Sequence, residues 1–221
     1  DVYRHEERKR DDMGKSEDKK GVKNRIVSAA WQLFHDKGYN GTTVDDIIEL
    51  SGTSKGSFYY YFKTKEGFGA ELIDRYRHFI TQKLERCLSD TSLSPLGSLR
   101  AFVGEVRDEM ARTDCRSGCL AGKLAQEVNT LPENFREQLS AVFAEWQDVF
   151  ARGLKRAQET GEISPELDCA STAAFFWYGW EGALQRANLE LNIKPVDIFI
   201  GNFKSVPSKF TRRIVVFRFS H

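Results

Sequence analysis

Hydrogen-bond donors are concentrated in one stretch of the chain, between residues 42 and 65. No acidic residue occurs from Leu50 to Lys65, whereas Lys55, Lys63 and Lys65 are basic. Phosphate oxygens accept hydrogen bonds from Lys, Ser, Thr and Tyr side chains and from backbone N–H groups. The composition therefore predicts contacts to a phosphate backbone. The candidate contact residues are Thr42, Thr43, Thr53, Ser54, Lys55, Gly56, Ser57, Tyr59, Tyr60 and Lys65.

The same stretch has the pattern of two short helices joined by a tight turn. Thr43 is placed to cap the first helix, and Asp46, three residues later, completes a capping box. Gly52 ends that helix, and Ser54 can cap a second helix that runs to about Phe62. This is the pattern of a helix-turn-helix, whose second helix enters the major groove of DNA. The alternative is a helical hairpin with a basic, solvated face.

The second helix suggests separate roles for its residues. Lys55 and Ser54, near its start, are best placed to reach base edges. Gly56 costs about 1 kcal/mol relative to Ala inside a helix, which is understandable where the backbone must approach a ligand closely. The expected phosphate anchors are Thr43, Tyr59 and Lys65.

The remaining reactive residue types form no catalytic or metal-binding pattern. The four cysteines are too few for a disulfide scaffold, which indicates a reducing, cytoplasmic environment. No Cys-x-x-Cys pair occurs, and no histidine lies near a cysteine in the sequence, so neither a metal nor another cofactor is expected. We therefore expect a protein that is not an enzyme.

The run from Arg25 to Phe68, which contains AAWQLFHDKGYNGTTVDDI and SGTSKGSFYYYFKTKEGF, resembles the DNA-binding domain of the TetR family of bacterial repressors. It covers about a fifth of the chain. The resemblance implies an all-α protein with an N-terminal three-helix helix-turn-helix domain, followed by a helical ligand-binding and dimerisation domain. It also implies a homodimer, double-stranded operator DNA and an effector as partners.

A second resemblance concerns the segment Gly118–Val128, with the sequence GCLAGKLAQEV. It is similar to a TetR subgroup that includes the repressor of N-ethylmaleimide reductase, in which the matching cysteine senses electrophiles and oxidants. Cys119 would then be the sensor. Cys115 is expected to be its resolving partner after oxidation, because it lies four residues away in the same segment, which is expected to be flexible. Arg116 and Lys123 are near Cys119 in the sequence, and nearby cations lower the pKa of a thiol. The alternative is that Cys119 is a small buried apolar residue.

The sequence departs from that subgroup downstream. Where the electrophile sensor has a lysine that can pair with its cysteine, this chain has Gln185, Arg186 and Ala187. This departure leaves reversible binding in an aromatic pocket as an alternative to covalent sensing. Its candidate lining residues, for which packing in the core is the other interpretation, are Trp146, Phe150, Trp177 and Trp180.

The helix predicted from Cys169 to Leu191 is apolar nearly all round, so one buried face does not account for it. Burial of one face against the core and of another face against a second subunit would account for it. We therefore expect the dimer interface to contain this helix and a last helix from Pro195 to about Phe203. Phe176 is expected inside the interface.

Charge and composition suggest the domain boundaries. Residues 101–206 contain 16 acidic and 11 basic residues, a net charge of −5, so the rest of the chain carries +6. We expect a disordered or added segment at 1–21 (Met13 being a plausible natural start), a DNA-binding domain at 22–68 and a connecting helix at 64–88. The sensing and dimerisation domain would cover 89–206. An atypical tail with a strand-like pattern would cover 207–221; we expect it to be foreign to the natural chain, and the alternative is a functional tail that contacts DNA.

Three function classes fit these observations to different degrees. The leading hypothesis is a cytoplasmic repressor that binds a palindromic operator as a dimer and releases it when an effector binds or reacts. The second is a helical small-molecule-binding protein or enzyme without a role in DNA regulation. The third is an architectural DNA-binding protein without a sensor. No apolar run approaches the roughly 20 residues of a membrane span, so no membrane partner is expected.

Overall fold

The computed structural model of the chain describes residues 21–203, which form helices and no strand within that range. The all-α prediction is confirmed. The first helix, α1, covers residues 21–37. The others are α2 (Val44–Ser51), α3 (Lys55–Phe62), α4 (Lys65–Ser89), α5 (Pro95–Arg112), α6 (Leu120–Gln126), α7 (Glu133–Glu159), α8 (Cys169–Glu190) and α9 (Lys194–Phe203).

The described residues divide into two compact units. The first unit comprises residues 21–76 and 123–138, and the second comprises residues 77–122 and 139–203. The predicted terminal segments at 1–21 and 207–221 lie outside the described residues, except for Gly21, which is helical. None of the helices described between residues 21 and 203 is long and apolar enough to cross a membrane.

The two helices of the predicted helix-turn-helix begin and end through local hydrogen bonds. The Thr43 hydroxyl accepts a hydrogen bond from the Asp46 backbone N–H, and the Asp46 carboxylate accepts one from the Thr43 N–H. Gly52 ends α2 with a left-handed backbone, at φ 60°. Ser54 caps α3 by accepting from the Ser57 N–H. These contacts orient α3 relative to α2.

An aromatic core holds the first unit together. Phe58 and Phe68 are fully buried, and the rings of Phe62 and Phe68 lie 4.4 Å apart, centroid to centroid. A Cβ at Gly69 would lie 2.8 Å from the Tyr39 ring and 2.7 Å from the Phe135 ring, so only glycine fits between them. Burial of these rings fixes the inner face of α3 and leaves its outer face open.

A second aromatic core fills the other unit. Trp146 stacks on Trp177 with ring centroids 5.2 Å apart, and Phe150 stacks on Phe176 at 4.1 Å. Gly179 lies where a Cβ would be 2.4 Å from the Phe199 ring, which allows α8 and α9 to pack closely. Phe176 is 1% exposed. It therefore belongs to the core of the subunit, and its predicted position inside the dimer interface is wrong.

Candidate nucleic-acid interface and thiol site

The outer face of α3 carries most of the predicted contact residues. Ser54, Lys55 and Gly56 are exposed at its N-terminal end. Tyr59 and Tyr60, one turn further along, are 42% and 62% exposed. Because two tyrosines on a short helix face solvent, their hydroxyl groups are available to an external acceptor.

Gly56 has no packing role within the described residues that would account for it. A Cβ at this position would meet the Ser54 hydroxyl at 3.7 Å, an ordinary contact, and nothing closer. Its helical backbone is not left-handed either. A glycine that is unfavourable in a helix and not required by its neighbours is consistent with close approach of a ligand backbone.

Thr42 is a correction to the predicted interface. Its side chain is fully buried, and its hydroxyl donates to the backbone carbonyls of Gly38, at 2.7 Å, and Leu33, at 3.3 Å. A buried hydroxyl that bonds to the chain's own carbonyls cannot contact DNA. Thr42 instead stabilises the connection between α1 and α2.

The other predicted donors lie at or near the surface. Thr43 is exposed, while Thr53 and Ser57 are half-buried. The Thr53 hydroxyl lies 2.7 Å from that of Ser51, and the Ser57 hydroxyl lies 3.0 Å from that of Ser54. These contacts set the side-chain directions before any ligand binds.

The two predicted basic contacts differ in their surroundings. The Lys65 ammonium donates to the Tyr39 carbonyl at 2.8 Å and lies 4.2 Å from the centre of the Tyr39 ring. Partial burial lowers the pKa of Lys65. Lys55 forms an exposed ion pair with Asp45 at 2.9 Å, and the hydrogen bond to Asp45 raises its pKa. Lys65 is thus held in place, whereas Lys55 can exchange a solvated partner for DNA.

Cys119 lies immediately before α6 and is half-buried. Its sulfur accepts a hydrogen bond from the Gly122 N–H at 3.4 Å. The Glu181 carboxylate reaches the same point from α8, because a Cβ on Gly122 would lie 2.0 Å from Glu181 Oε2 and 3.5 Å from the Cys119 Cβ. The absence of a side chain at Gly122 therefore brings a thiol and a carboxylate together.

Glu181 is a site residue that the sequence patterns did not identify. Both of its carboxylate oxygens are buried and lack a partner at hydrogen-bond geometry, as does the Trp177 indole nitrogen one turn earlier on α8. Burial raises the Glu181 pKa to about 7, and the weak Cys119 thiol donor opposes this shift. The signal was available in the sequence, since Glu181 is the only charged residue between Asp168 and Arg186.

The other cysteines lie in less reactive surroundings. Burial raises the pKa of Cys87, Cys115 and Cys169. Cys115 is 3% exposed, and Asn188 donates to its backbone carbonyl at 2.8 Å. A buried thiol in a tethered segment is a poor nucleophile. The predicted role of Cys115 as a resolving partner therefore requires this segment to open.

Lys123, expected to lie beside Cys119, has a defined position in the first unit. Its ammonium donates to the backbone carbonyls of His35 and Asp36, at the C-terminal end of α1. Cations are stabilising at that end of a helix. Its charge also contributes to the low pKa of His35, about 4, for which burial of the imidazole is the larger cause.

A cavity of about 310 Å³ lies within the second unit. Phe150 lines it, together with apolar residues of α5 and α9, and Arg107 and Asp197 form an ion pair at 2.9 Å on its wall. Trp146, Trp177 and Trp180 are at most 2% exposed and are not among the lining residues. Of the four predicted pocket residues, the structure therefore places only Phe150 at this cavity.

One face of α8 is apolar and exposed. Phe175, Tyr178 and Leu189 lie along it at helical spacing and are 56%, 71% and 74% exposed. Gly182 is on the same face and has open space around its Cα. On α9, Ile198 is 54% exposed. Large apolar side chains exposed along one helix face are typical of an interaction site.

Comparison with known proteins identifies both parts of the chain. Residues 26–72 match the family described as "Bacterial regulatory proteins, tetR family", and residues 95–203 match "Tetracyclin repressor-like, C-terminal domain". The "Transcriptional regulator AcuR" of Cereibacter sphaeroides is 40% identical over 80% of this chain and 81% of its own length. The "HTH-type transcriptional repressor DhaR" of Mycobacterium sp. (strain GP1) is 30% identical over 81% of this chain and 88% of its own.

A solved structure shows the same fold. The reduced form of NemR from E. coli superposes with a TM-score of 0.77 at 22% identity, covering 83% of this chain and 95% of that one. Similarity of the body to NemR agrees with the resemblance predicted from the sequence.

Proposed function

Because the chain belongs to the TetR family of transcriptional regulators, whose members bind operator DNA as dimers, we propose that it is a repressor whose α3 reads a palindromic operator. Its relatives are regulators, which agrees with the prediction that the chain is not an enzyme. The proposed site of action is the cytoplasm. The observation that carries the proposal is the exposed outer face of α3, on which Gly56 has space around it and Tyr59 and Tyr60 face solvent.

The contacts divide into base readers and phosphate anchors. Lys55 and Ser54 are exposed at the N-terminal end of α3, the end that reaches base edges in helix-turn-helix proteins. Thr43, Tyr59 and Lys65 supply donors around it for phosphates. Lys65 is held by the Tyr39 carbonyl, so its ammonium is positioned before DNA arrives.

A salt titration tests this arrangement. Operator fragments are first selected from genomic DNA that the protein retains, and affinity is then measured by fluorescence anisotropy at several salt concentrations. Lys65→Ala should weaken binding to all sequences and reduce the salt slope by about one. Lys55→Ala should instead reduce the preference for operator over random DNA. Lys155→Ala in the second unit serves as a control. Unchanged affinity and slope in Lys65→Ala would contradict the docking arrangement.

The dimer is proposed to form through the exposed apolar faces of α8 and α9. Tyr178→Glu places a charge on the face that a partner would cover, where it could not be solvated. Light scattering at micromolar concentration should show a dimer for the wild type and a monomer for this variant. Asn188→Glu, also on α8 but bonded to the carbonyls of Cys115 and Arg116, provides a comparison. A monomeric wild type would contradict the proposal.

The effector is proposed to be an electrophile that reacts with Cys119. This thiol is half-buried, and the raised pKa values of the other three thiols make them slower nucleophiles near neutral pH. Operator release by N-ethylmaleimide or a quinone should occur in the wild type and not in Cys119→Ser. Equal release from both proteins would remove Cys119 from the mechanism.

The cavity in the second unit favours one other effector class. Its apolar walls and the Arg107–Asp197 pair suit a small, mainly apolar molecule that binds reversibly. Such an effector would release the operator from Cys119→Ser as well as from the wild type. A bulky substitution on the cavity wall, Val103→Trp, should then block release.

A further inference from the structure

The buried carboxylate beside the thiol has no function in the fold that its surroundings explain. Buried ionisable groups are normally paired, because an unpartnered charge is costly to bury. Glu181 is buried at both oxygens without a partner at hydrogen-bond geometry, and it converges with Cys119 on Gly122. A carboxylate kept in this position is suited to exchange a proton with the thiol.

Resting on the proposed electrophile response of Cys119, we propose that Glu181 is the proton-transfer residue for alkylation of this thiol by α,β-unsaturated carbonyl compounds such as maleimides and quinones. Cys119 is half-buried, so part of this residue is open to solvent and to a dissolved reagent. Glu181 lies on the buried side of the same segment.

The step conserves atoms and electrons without an oxidant or reductant. The Glu181 carboxylate takes the proton of the Cys119 thiol while a sulfur electron pair forms a bond to the β-carbon of the electrophile. The π electrons of the carbon–carbon double bond move to the α-carbon as an enolate. The protonated Glu181 then returns the proton to that carbon. The product is a thioether, and the carboxylate is regenerated.

The acid–base properties of the site suit this role. A general base is most effective when its pKa lies near the working pH, and burial brings Glu181 to about 7. Among the described residues, Cys119 is the titratable group that faces the carboxylate and shifts its pKa. The other charged residues on its own helix are Arg186 and Glu190, which pair with each other, and Asp168 precedes the first turn. Ionisation of Glu181 should therefore control the rate between pH 6 and 8.

The alternative makes the opposite prediction. If the carboxylate only fills space, its negative charge disfavours a thiolate next to it. Removing that charge would then leave the reaction of Cys119 unchanged or make it faster. The sign of the rate change separates the two roles.

The test measures the rate at which N-ethylmaleimide alkylates each cysteine, by mass spectrometry, from pH 5.5 to 8.5. In the wild type, the Cys119 rate should rise to about pH 7 and then level off. In Glu181→Gln it should fall about 10- to 100-fold at pH 7 and keep rising with pH, because removal of the thiol proton then depends on bases in the solvent. Glu181→Asp should recover part of the rate.

Two internal references keep the result interpretable. The rate at Cys169 in the same molecules reports folding and reagent activity. Glu190→Gln removes a carboxylate from the surface of the same helix, where it pairs with Arg186, and should change nothing at Cys119. An equal or faster Cys119 rate in Glu181→Gln would overturn the proposal.

A second variant covers a failure of Glu181→Gln to fold. In Gly122→Ala the new Cβ must displace the Glu181 carboxylate, so the acid is kept but its position is lost. The proposal expects slower alkylation of Cys119 in this variant, and an unchanged rate contradicts it. These rates are measured without DNA. A failure of operator release in a protein that still shows the Glu181-dependent rate would refute the regulatory role and leave the proton transfer intact.

Discussion

Two half-buried titratable residues, His35 in the first unit and Glu181 in the second, lie in contrasting surroundings. His35 in the first unit lies against the rings of Trp31 and Tyr76, and its pKa of about 4 keeps it neutral at any physiological pH. The carboxylate of Glu181 in the second unit is buried beside Cys119, and its pKa of about 7 places it between the charged and neutral forms near neutral pH. The first group is inert, whereas the second can respond to its surroundings.

The difference reflects what each region must do. The first unit holds α3 in a fixed orientation, so its polar groups cap helices and bond to backbone carbonyls, as Thr43 and Thr42 do. In the second unit, the Trp177 indole nitrogen and the Glu181 carboxylate oxygens on α8 lack a partner at hydrogen-bond geometry. A region that holds a DNA-reading helix in place requires polar groups whose hydrogen bonds are already made. A region that senses an effector requires groups whose hydrogen bonding or protonation can still change.

The largest expected effect concerns Glu181. The pKa of Glu181 is higher in the folded state than in the unfolded state. Its contribution to the free energy of unfolding is therefore complete below the unfolded value of 4.5 and is lost as pH rises through 7. Between pH 4.5 and 8, the wild type should lose about 3 kcal/mol of unfolding free energy relative to Glu181→Gln. Urea denaturation across this range measures the difference. Parallel curves for the two proteins would show that Glu181 is not as sequestered as its burial indicates.

His35 should give a pH dependence of the opposite sign. The pKa of His35 is lower in the folded state than in the unfolded state. Its contribution to the free energy of unfolding is therefore present above the unfolded value of 6.5 and is lost as pH falls through about 4. Relative to His35→Leu, the wild type should lose about 2 kcal/mol of unfolding free energy between pH 7 and 4. Circular dichroism in urea at each pH tests this. If the wild type and His35→Leu respond equally to acid, the imidazole is solvated.

A smaller effect is expected at the cap of α2. Thr43→Ala removes a reciprocal capping box and should lower the unfolding free energy by about 1 kcal/mol. Thr43→Ser keeps the hydroxyl and should restore stability. Operator affinity measured for both variants then separates the cap from a phosphate contact. Full affinity in Thr43→Ala would limit Thr43 to its structural role.

Gly56 should show the smallest change in stability and an opposite change in function. Gly56→Ala adds a methyl group where the chain has room, so the unfolding free energy should rise by up to about 1 kcal/mol. Operator affinity should nevertheless fall, because the methyl group blocks close approach of the DNA backbone. Gly52→Ala, at a left-handed position, should be destabilising instead. Unchanged operator affinity in Gly56→Ala would show that the DNA backbone does not approach α3 closely at this residue.

Several features of this protein were determined by the sequence alone. The capping box at Thr43, the left-handed turn at Gly52 and the cap at Ser54 were predicted correctly, because each depends on hydrogen bonds between residues at most a few positions apart. The all-helical class follows from the same local signals. The family also followed from short motifs, because its DNA-binding domain is defined by such local spacing.

Other features were decided only by the tertiary structure. The burial of Thr42, the placement of Phe176 and the three tryptophans in the core, and the meeting of Glu181 with Cys119 all depend on how distant helices pack. Helical periodicity shows which residues share a face, but it does not show which face meets the core and which meets a partner or solvent. That choice is made by burial of apolar surface over the whole unit, and residues far apart in the sequence come together only as its consequence.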